Sequence, residues 1–131
     1  MNALAAALKS LGLGKGDRVL VQSRNNNALF ESCWAAFKLG AVWVPTNYRL
    51  TPPEIAYLGQ SSGAKAFLYD RGFGEHVDAV KAAAPALKHV VAIEGPRVGE
   101  HDYETLLARH ANAPGFEQDV DYDDPIWFFF T

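Results

Sequence analysis

The sequence predicts an α/β fold in which a parallel sheet of about five strands carries helices on both faces. Apolar stretches typical of buried strands begin near residues 18, 41, 65 and 88, and a helical pattern lies between successive strands. Alternating strands and helices imply right-handed crossover connections, and therefore a parallel sheet. No sequence repeat accompanies this spacing, so its period is that of one strand–helix unit and not that of a solenoid.

The chain opens with a predicted helix, because Leu4, Leu8 and Leu11 recur at helical spacing. Glycines at positions 12 and 14 end that helix. The next apolar stretch, "RVLVQS" at residues 18–23, is the first predicted strand.

A second helix is predicted over residues 27–40, with Asn27 as its N-cap and Gly40 as its C-terminal stop. A short buried strand follows at residues 41–44, and Pro45 closes it. The apolar face of this helix is predicted to comprise Leu29, Phe30, Cys33, Trp34 and Phe37.

The stretch "TPPE" predicts the start of the third helix. Thr51 can cap it, Pro52 fits its first turn, and Glu54 stands three residues after the cap, as in a capping box. The helix is expected to run to about residue 62, where Gly63 ends it.

The rest of the chain continues the alternation of strands and helices. Residues 111–124 are interpreted as an acidic, solvated connection before the last strand. That strand is apolar on every residue, so both of its faces require cover. The remaining predicted strands are residues 65–69, 88–93 and 126–130, and the remaining helices are residues 75–84 and 103–110.

Composition excludes several classes of protein. A net charge of -3 gives no electrostatic case for nucleic-acid binding. A single cysteine, Cys33, excludes an internal disulfide framework and suits a reducing compartment, so a cytoplasmic location is expected. The four histidines lack metal-ligand spacing, no apolar run approaches a membrane span of about 20 residues, and the N-terminus lacks the features of a signal peptide.

The loops that follow the strands lack familiar nucleotide motifs. No glycine occurs in "RNNN" at residues 24–27, which argues against a dinucleotide fingerprint after the first strand. "GLGKGD" at residues 12–17 precedes a strand, so it is interpreted as a helix stop and a turn. Asp70 ends the third strand without an acidic pair after the first, and is interpreted as a turn residue.

Several stretches together resemble the N-terminal part of acyl-CoA synthetases, which belong to the adenylate-forming, AMP-binding superfamily. They are "LGLGKGDRVLV" at residues 11–21, Asn25, and "AAFKLGAVWVPTNYRLTPPEIAYLGQSSGAKAFLYD" at residues 35–70. The ending "DDPIWFFFT" at residues 123–131 resembles the approach to that family's phosphate-binding loop, where Thr-Ser-Gly and a Gly/Thr-rich stretch with a lysine follow. The resemblance extends from about Leu8 to Thr131.

This resemblance implies a partial N-terminal AMP-binding domain, residues 1–131, of an ATP-dependent acid–CoA ligase. In the implied reaction a carboxylate attacks ATP, with Mg²⁺, to give an acyl-adenylate, and coenzyme A then takes the acyl group. Thr131 would be the first residue of the ATP-binding loop. The catalytic residues and metal ligands would lie beyond this chain, which is expected to be inactive alone. A fatty acid is the expected substrate, with aryl and short dicarboxylic acids left open.

Within the chain, "TNYRL" at residues 46–50 follows a strand and faces the edge where such sheets bind ligands. Arg49 could meet a phosphate or a carboxylate there, but pairing with a nearby acid such as Glu54, or ordering of the turn, is favoured. Cys33 is interpreted as a packed thiol and not as a nucleophile. The aromatic residues Trp34, Phe37 and Trp43 are interpreted as core and not as an acyl-binding stripe.

An alternative of another class stays open at this point. The chain could be a stand-alone flavodoxin-like module that binds a partner or a small ligand without catalysis. As part of a ligase, the chain is expected to leave an apolar patch or a sheet edge uncovered, and a homo-oligomer is then one expected outcome.

Overall fold

A computed structural model of the protein describes residues 2–24, 26–70, 73–93, 96–97 and 99–111. The predicted strand at residues 126–130, nearly all of the acidic connection, and Thr131 lie outside the described residues. The helices are α1 (Asn2–Ser10), α2 (Asn26–Leu39), α3 (Pro52–Ser62), α4 (Gly74–Ala83) and α5 (Tyr103–Arg109). The strands are β1 (Arg18–Gln22), β2 (Val42–Pro45), β3 (Ala64–Tyr69), β4 (His89–Ala92) and β5 (His101–Asp102).

The five described strands form one parallel sheet in the order β2-β1-β3-β4-β5. Leu20 in the central part of β1 stands opposite Val44 on one side and Phe67 on the other. The predicted fold class is therefore confirmed. Since β1 and β3 are neighbours while β2 lies outside β1, the chain reverses its direction of progress across the sheet after β2.

Each face of the sheet has its own core, as the two-residue period of a strand requires. Val19, Val21 and Leu68 pack under α1, α2 and α5, whereas Leu20 and Phe67 pack under α3 and α4. Helices therefore cover both faces, as the sequence predicts for strands that are apolar on successive residues.

One strand of the sheet differs from the sequence prediction. β5 consists of only His101 and Asp102, which pair with Val91 and Ala92 of β4. Neither residue is apolar, and two residues are too few to show a periodic pattern, so nothing in the sequence predicted this strand. The five-stranded sheet is thus reached without the predicted strand at residues 126–130.

The ends of α3 confirm the "TPPE" prediction. Thr51 is the N-cap, the helix begins at Pro52, and the carboxylate of Glu54 accepts a hydrogen bond from the Thr51 backbone N–H at 3.0 Å. Gly63 ends the helix in the left-handed region, at φ +68°, which a residue with a Cβ rarely adopts.

The prediction for the N-terminus of α2 was wrong by one residue. The helix already includes Asn26, so Asn27 lies in its first turn and cannot be its N-cap. A sequence pattern locates a helix better than it locates the ends of that helix. The first helical residue depends on the backbone geometry at one position, which the pattern does not show.

The interpretation of Trp34, Phe37 and Trp43 as core was also wrong in part. Trp43 is only 8% exposed and Phe37 is half-buried, but Trp34 is 44% exposed and Phe30 is 60% exposed. The buried surface of α2 is built instead from small residues and one leucine, namely Ala28, Ser32, Ala35, Ala36 and Leu39. Small side chains let a helix pack closely against its neighbours, and Phe37 contacts the sheet edge to face through Trp43 of β2.

Residues 12–17 form a turn, as predicted. The Asp17 carboxylate accepts a hydrogen bond from the Gly14 backbone N–H at 2.8 Å, and Lys65 donates to the Gly12 carbonyl oxygen at 2.8 Å. This turn lies at the amino end of the strands, opposite the edge that parallel sheets use for ligands. Among the helices that the structure describes, none is both long and apolar enough to cross a membrane.

Candidate functional site

Two cavities lie where β1 and β2 end, at the carboxyl edge of the sheet. The larger has a volume of about 610 Å³ and is lined by Thr46, Asn47, Leu50, Pro53, Glu54, Tyr57 and Leu58. The smaller, of about 420 Å³, is lined by Ser23, Arg24, Leu29, Thr46, Asn47 and Tyr48. Both cavities share Thr46 and Asn47, so the loop at residues 46–50 forms the wall between them. This is the edge where open parallel sheets bind their ligands.

The loop at residues 46–50 is attached to β1 from its first residue. Thr46 donates from both its backbone N–H and its hydroxyl to the carbonyl oxygen of Val21, at 2.9 and 2.8 Å. The backbone N–H of Arg49 donates to the Asn47 side-chain oxygen at 2.9 Å, which closes a local turn. The wall between the cavities is therefore held by hydrogen bonds and not only by chain connectivity.

Gln22 and His76 hold the same loop from beneath. The Gln22 amide donates to the carbonyl oxygens of Asn47 and Leu50, each at 3.4 Å, from a side chain that is fully buried. His76 lies on α4, and its Nε2 is 2.8 Å from the Leu50 carbonyl oxygen. Because a carbonyl can only accept, Nε2 must carry the proton in this contact.

Two polar side-chain atoms beside this loop are buried without a hydrogen-bond partner among the described residues. They are Oε1 of Gln22 and Nδ1 of His76. A buried polar atom without a partner costs free energy, and native proteins usually satisfy it with protein, water or ligand. The amide oxygen of Gln22 can only accept a hydrogen bond, so the region beneath the loop favours a donor group beside it.

Arg24 brings a positive charge to the smaller cavity. Its backbone N–H donates to the Asp70 carboxylate at 3.2 Å, and its Nε lies 3.9 Å from the same oxygen. The guanidinium also lies 5.1 Å from the centre of the Phe73 ring, within the range of a cation–π contact. Asp70 is 9% exposed and joins the loops after β1 and β3, so its structural role is larger than that of a simple turn residue.

Arg49 is exposed at the same edge and does not pair with Glu54. Its Nε donates to the Tyr48 hydroxyl at 3.2 Å, and its guanidinium lies 5.4 Å from the centre of that ring. Of the two interpretations favoured from the sequence, ordering of the turn is therefore confirmed and the Glu54 ion pair is wrong. Glu54 bonds to Thr51 instead, because the first turn of α3 places the two within reach.

Glu54 contributes the only carboxylate among the described residues that line the larger cavity. Hydrogen bonds from the backbone and the hydroxyl of Thr51 lower the pKa of this carboxyl below its usual range. The charge of Glu54 is thus fixed by the helix cap. The rest of the cavity is largely apolar, and Leu50, Tyr57 and Leu58 provide most of the apolar wall.

A second polar cluster lies beyond the cavities, at the end of β3. The Tyr69 hydroxyl donates to the buried Glu100 carboxylate, which also accepts from the Arg97 backbone N–H at 2.9 Å and lies 3.5 Å from the Lys81 ammonium. Burial, followed by the bond to Glu100, raises the pKa of Tyr69 well above its usual range. Arg97 also bonds to Asp78 at 2.7 Å, so this cluster joins the segment before β5 to α4.

The other residues singled out from the sequence have structural roles or lie outside the description. Burial raises the pKa of the half-buried Cys33 thiol, which supports the interpretation of a packed, unreactive cysteine. Thr131 is not among the described residues, so its proposed contact with ATP stays a prediction. No three of the described histidine, cysteine, aspartate and glutamate side chains lie close enough together to hold a metal ion.

Sequence reasoning missed Gln22, His76 and Arg24 as parts of this edge. Gln22 offered a usable pattern, because it is a polar residue at the carboxyl end of an otherwise apolar strand. His76 offered none, since only the packing of α4 beside the loop places it next to Leu50.

Comparisons with known proteins agree with this architecture. The chain matches the family described as AMP-binding enzyme over residues 1–131. It is 33% identical over 130 residues to a fatty acid–[acyl-carrier-protein] ligase, ScoC, of Streptomyces coeruleorubidus. That match covers 99% of this chain and 24% of the relative, so the chain spans about a quarter of that relative's length.

Two solved structures show the same fold. An anthranilate CoA ligase, AuaEII, in complex with anthranoyl-AMP superposes with a TM-score of 0.86 at 26% identity, over 96% of this chain and 24% of that one. The N-terminal domain of FACL13 from Mycobacterium tuberculosis, bound to an inhibitor, superposes with a TM-score of 0.76 at 29% identity, over 96% of this chain and 30% of that one. With the family match over every residue, the sheet and its helices show that this chain belongs to the AMP-binding enzyme family.

Proposed function

We propose that this chain is the N-terminal part of an ATP-dependent acid–CoA ligase. The observation that carries the proposal is the family match over all 131 residues, because the relatives in that family are acid–CoA and acid–acyl-carrier-protein ligases. A fatty acid is the proposed substrate, on the strength of the ScoC similarity. An aryl acid is the rival, since AuaEII acts on anthranilate.

The reaction has two balanced steps. A carboxylate oxygen attacks the α-phosphorus of ATP, a P–O bond forms, and pyrophosphate leaves with the electrons of the broken bond. The thiol of coenzyme A then loses its proton and attacks the acyl carbon, and AMP leaves. Charge on the phosphates must be offset during the first step, by Mg²⁺ and by cationic side chains.

The described residues suit binding and orientation and not the chemical step. The larger cavity has an apolar wall and one fixed carboxylate, which fits an acyl or other apolar group better than a phosphate. Arg24 and Arg49 bring two guanidinium groups to the loop at residues 46–50, and guanidinium groups bind phosphates and carboxylates well. Arg49 suits this role because no acid among the described residues neutralises it.

Metal binding is proposed to depend on groups outside the described residues. The described residues lack a cluster of acidic or histidine side chains that could hold Mg²⁺. Thr131 is the proposed first contact with the ATP phosphates. The remaining groups for phosphate binding and catalysis are proposed to lie in a further part of the ligase. That part would correspond to the three quarters of the ScoC relative that this chain does not match.

Pyrophosphate release tests this proposal. The purified 131-residue chain and a longer protein that contains it are each mixed with ATP, Mg²⁺ and a panel of fatty, aryl and dicarboxylic acids. We expect release from the longer protein and none above background from the 131 residues. Release by the short chain would show that the active site has been misplaced. No release by the longer protein would favour the alternative of a flavodoxin-like binding module without catalysis.

Arg49 provides a second arm of the test. In the longer protein, Arg49→Ala should raise the KM for the phosphate-bearing or acidic substrate that Arg49 contacts, and Arg49→Lys should restore part of the loss. Unchanged kinetics for both variants would leave Arg49 with its turn-ordering role alone.

A further inference from the structure

The loop between the two cavities contains a hydrogen-bonded turn at residues 47–50. The Leu50 backbone N–H donates to the Asn47 carbonyl oxygen at 3.1 Å, so Tyr48 and Arg49 stand at the centre of the turn. The residues at positions 47–49 are all exposed. Because exposed groups can exchange their contacts for water, the buried groups beneath the turn decide how firmly it is held.

Gln22 lies beneath this turn and contacts both of its ends. Its Nε2 is 3.4 Å from the carbonyl oxygens of Asn47, the first residue, and of Leu50, the last. The backbone of Gln22 is itself fixed in the sheet, since its carbonyl oxygen accepts from the Asp70 backbone N–H at 3.1 Å. One fully buried side chain on a fixed strand therefore spans the turn.

His76 contacts the same turn from α4. Its Nε2 lies 2.8 Å from the Leu50 carbonyl oxygen, so that oxygen accepts hydrogen bonds from a strand residue and from a helix residue. The imidazole packs edge to face against the Phe73 ring, with the centroids 4.9 Å apart, and this contact restricts its rotation. The last residue of the turn is thus joined to two separate elements.

Stability alone does not favour a glutamine at position 22. Its Oε1 is buried without a hydrogen-bond partner among the described residues, and the two bonds that its Nε2 makes are long. Both carbonyl oxygens that it contacts also have a second donor, the Leu50 N–H for Asn47 and His76 for Leu50. An apolar side chain of the same size would remove an unpaired acceptor and leave neither carbonyl oxygen without a partner. Natural proteins keep such locally unfavourable residues at functional sites.

We propose that Gln22 and His76 are positioning residues, which fix the turn at residues 47–50 and thereby orient the Arg49 guanidinium toward a substrate of the ligase. The inference rests on the proposed function, in which Arg49 binds a phosphate or a carboxylate group.

The turn itself determines where the Arg49 side chain lies. The Arg49 backbone N–H donates to the Asn47 side-chain oxygen at 2.9 Å, and its Nε donates to the Tyr48 hydroxyl at 3.2 Å. A movement of the turn therefore moves the guanidinium. A misplacement of about 1 Å in a group that orients a substrate is enough to lower a reaction rate severely.

Kinetics of the longer protein test this inference, with ATP, coenzyme A and the acid varied in turn. Gln22→Met keeps the length of the side chain and removes both its donor and its unpaired acceptor. We expect it to raise, by about tenfold, the same KM that Arg49→Ala raises, and to leave kcat and the thermal midpoint unchanged. In the Arg49→Ala background, Gln22→Met should have no further effect on that KM, because it acts through Arg49.

Variants at His76 give an independent measurement. His76→Phe should raise the same KM, and His76→Gln, which keeps a donor, should restore part of the loss. Ser62→Ala is the matched control, since Ser62 is also buried and its hydroxyl donates at 3.4 Å to the Gly59 carbonyl oxygen within its own helix. This control should leave every KM unchanged.

Hydrogen exchange with mass spectrometry measures the turn without any need for ligase activity. In the longer protein with Gln22→Met, a peptide that contains residues 46–50 should exchange severalfold faster than in the unsubstituted protein. Peptides from α5 should exchange at an unchanged rate, which would show that the effect is local.

Three results would overturn the inference. The turn could exchange at the same rate in Gln22→Met, or the effects of Gln22→Met and Arg49→Ala on KM could combine independently. The thermal midpoint could also fall without a change in any KM, as expected for a purely structural role. Absence of ligase activity in the unsubstituted longer protein would contradict the proposed function instead, and the exchange of the turn would still decide whether Gln22 holds it.

Discussion

His76 of α4 donates its Nε2–H to the backbone carbonyl oxygen of Leu50 at 2.8 Å. This contact joins a helix on one face of the sheet to the loop that separates the two carboxyl-edge cavities. Gln22 donates to the same carbonyl from within β1. The shape of the candidate site therefore depends on two polar side chains, the buried Gln22 and the half-buried His76, which are not among its lining residues.

Replacing His76 tests how much this contact contributes. His76→Phe keeps the edge-to-face packing against Phe73 but removes the donor, so we expect a loss of about 1 kcal/mol in the free energy of unfolding. His76→Gln keeps an amide donor and should lose less. Urea unfolding followed by circular dichroism measures both variants. His110→Gln, at the end of α5, is the matched control, and an equal loss there would contradict the assignment.

The cap of α3 gives a second prediction. Thr51→Ala removes the hydroxyl that bonds to Glu54 at 2.8 Å and should lower the free energy of unfolding by about 1 kcal/mol. Ser61→Ala removes an exposed hydroxyl near the other end of the same helix and should change little. Equal effects of the two substitutions in urea unfolding would mean that the cap contributes nothing specific.

His89 predicts a dependence of stability on pH. Burial, then the neighbouring imidazole of His101, lowers the pKa of His89 in the folded protein, and Lys65 and Lys88 act in the same direction. The unfolded chain then binds more protons than the folded one at pH values below about 6.5, the ordinary histidine value. Stability from this group is fully present above that pH and is lost as the pH falls toward the lowered folded value.

The measurement is a series of urea unfolding midpoints from neutral to mildly acidic pH. His89→Gln should flatten the profile below about pH 6.5, whereas His110→Gln should leave it unchanged. A profile of His89→Gln that matches the unsubstituted chain would show that acid sensitivity arises elsewhere.

Gly59 of α3 lies close to α4. A Cβ at this position would lie 3.0 Å from Cγ1 of Val80 and 3.6 Å from the Cβ of Ala84. Alanine favours a helix by about 1 kcal/mol over glycine, but overpacking costs about 1–3 kcal/mol, so we expect Gly59→Ala to destabilise the protein overall.

A double-mutant cycle separates the two effects. Val80→Ala removes the methyl group that the new Cβ would meet, so Gly59→Ala should be less harmful in that background than in the unsubstituted chain. Additive losses in thermal or urea unfolding would contradict the predicted steric conflict.

Local chemistry let the sequence predict much of this fold. Alternating strands and helices indicated a parallel α/β sheet, because each apolar stretch must be covered and each crossover has one favoured hand. Thr51, Pro52 and Gly63 predicted the ends of α3, since caps depend on residues that are neighbours in the chain. The motif of residues 35–70 also indicated the family that the full-length match later established.

Periodicity did not determine which apolar side of α2 meets the sheet. Every side of that helix offers apolar residues, so the pattern was consistent with a buried Trp34. The packed structure buries small residues such as Ala35 and Ala36 and turns Trp34 outward. Which side of a helix is buried depends on the shape of the helix and of the surface it packs against. The sequence of the helix alone therefore does not determine it.

The sequence by itself determined the order of strands and helices, the caps of α3 and the family, because these depend on short-range patterns and residue identity. Only the tertiary structure decided the strand order β2-β1-β3-β4-β5, the two-residue strand β5, and the meeting of Gln22 with His76 beneath Leu50. The hydrogen bonds from Gln22 and from His76 to Leu50 each join residues more than 25 positions apart in the chain. Packing across the sheet decides which residues meet in these hydrogen bonds. A buried polar group without a partner costs free energy, so the arrangement that pairs such groups is favoured.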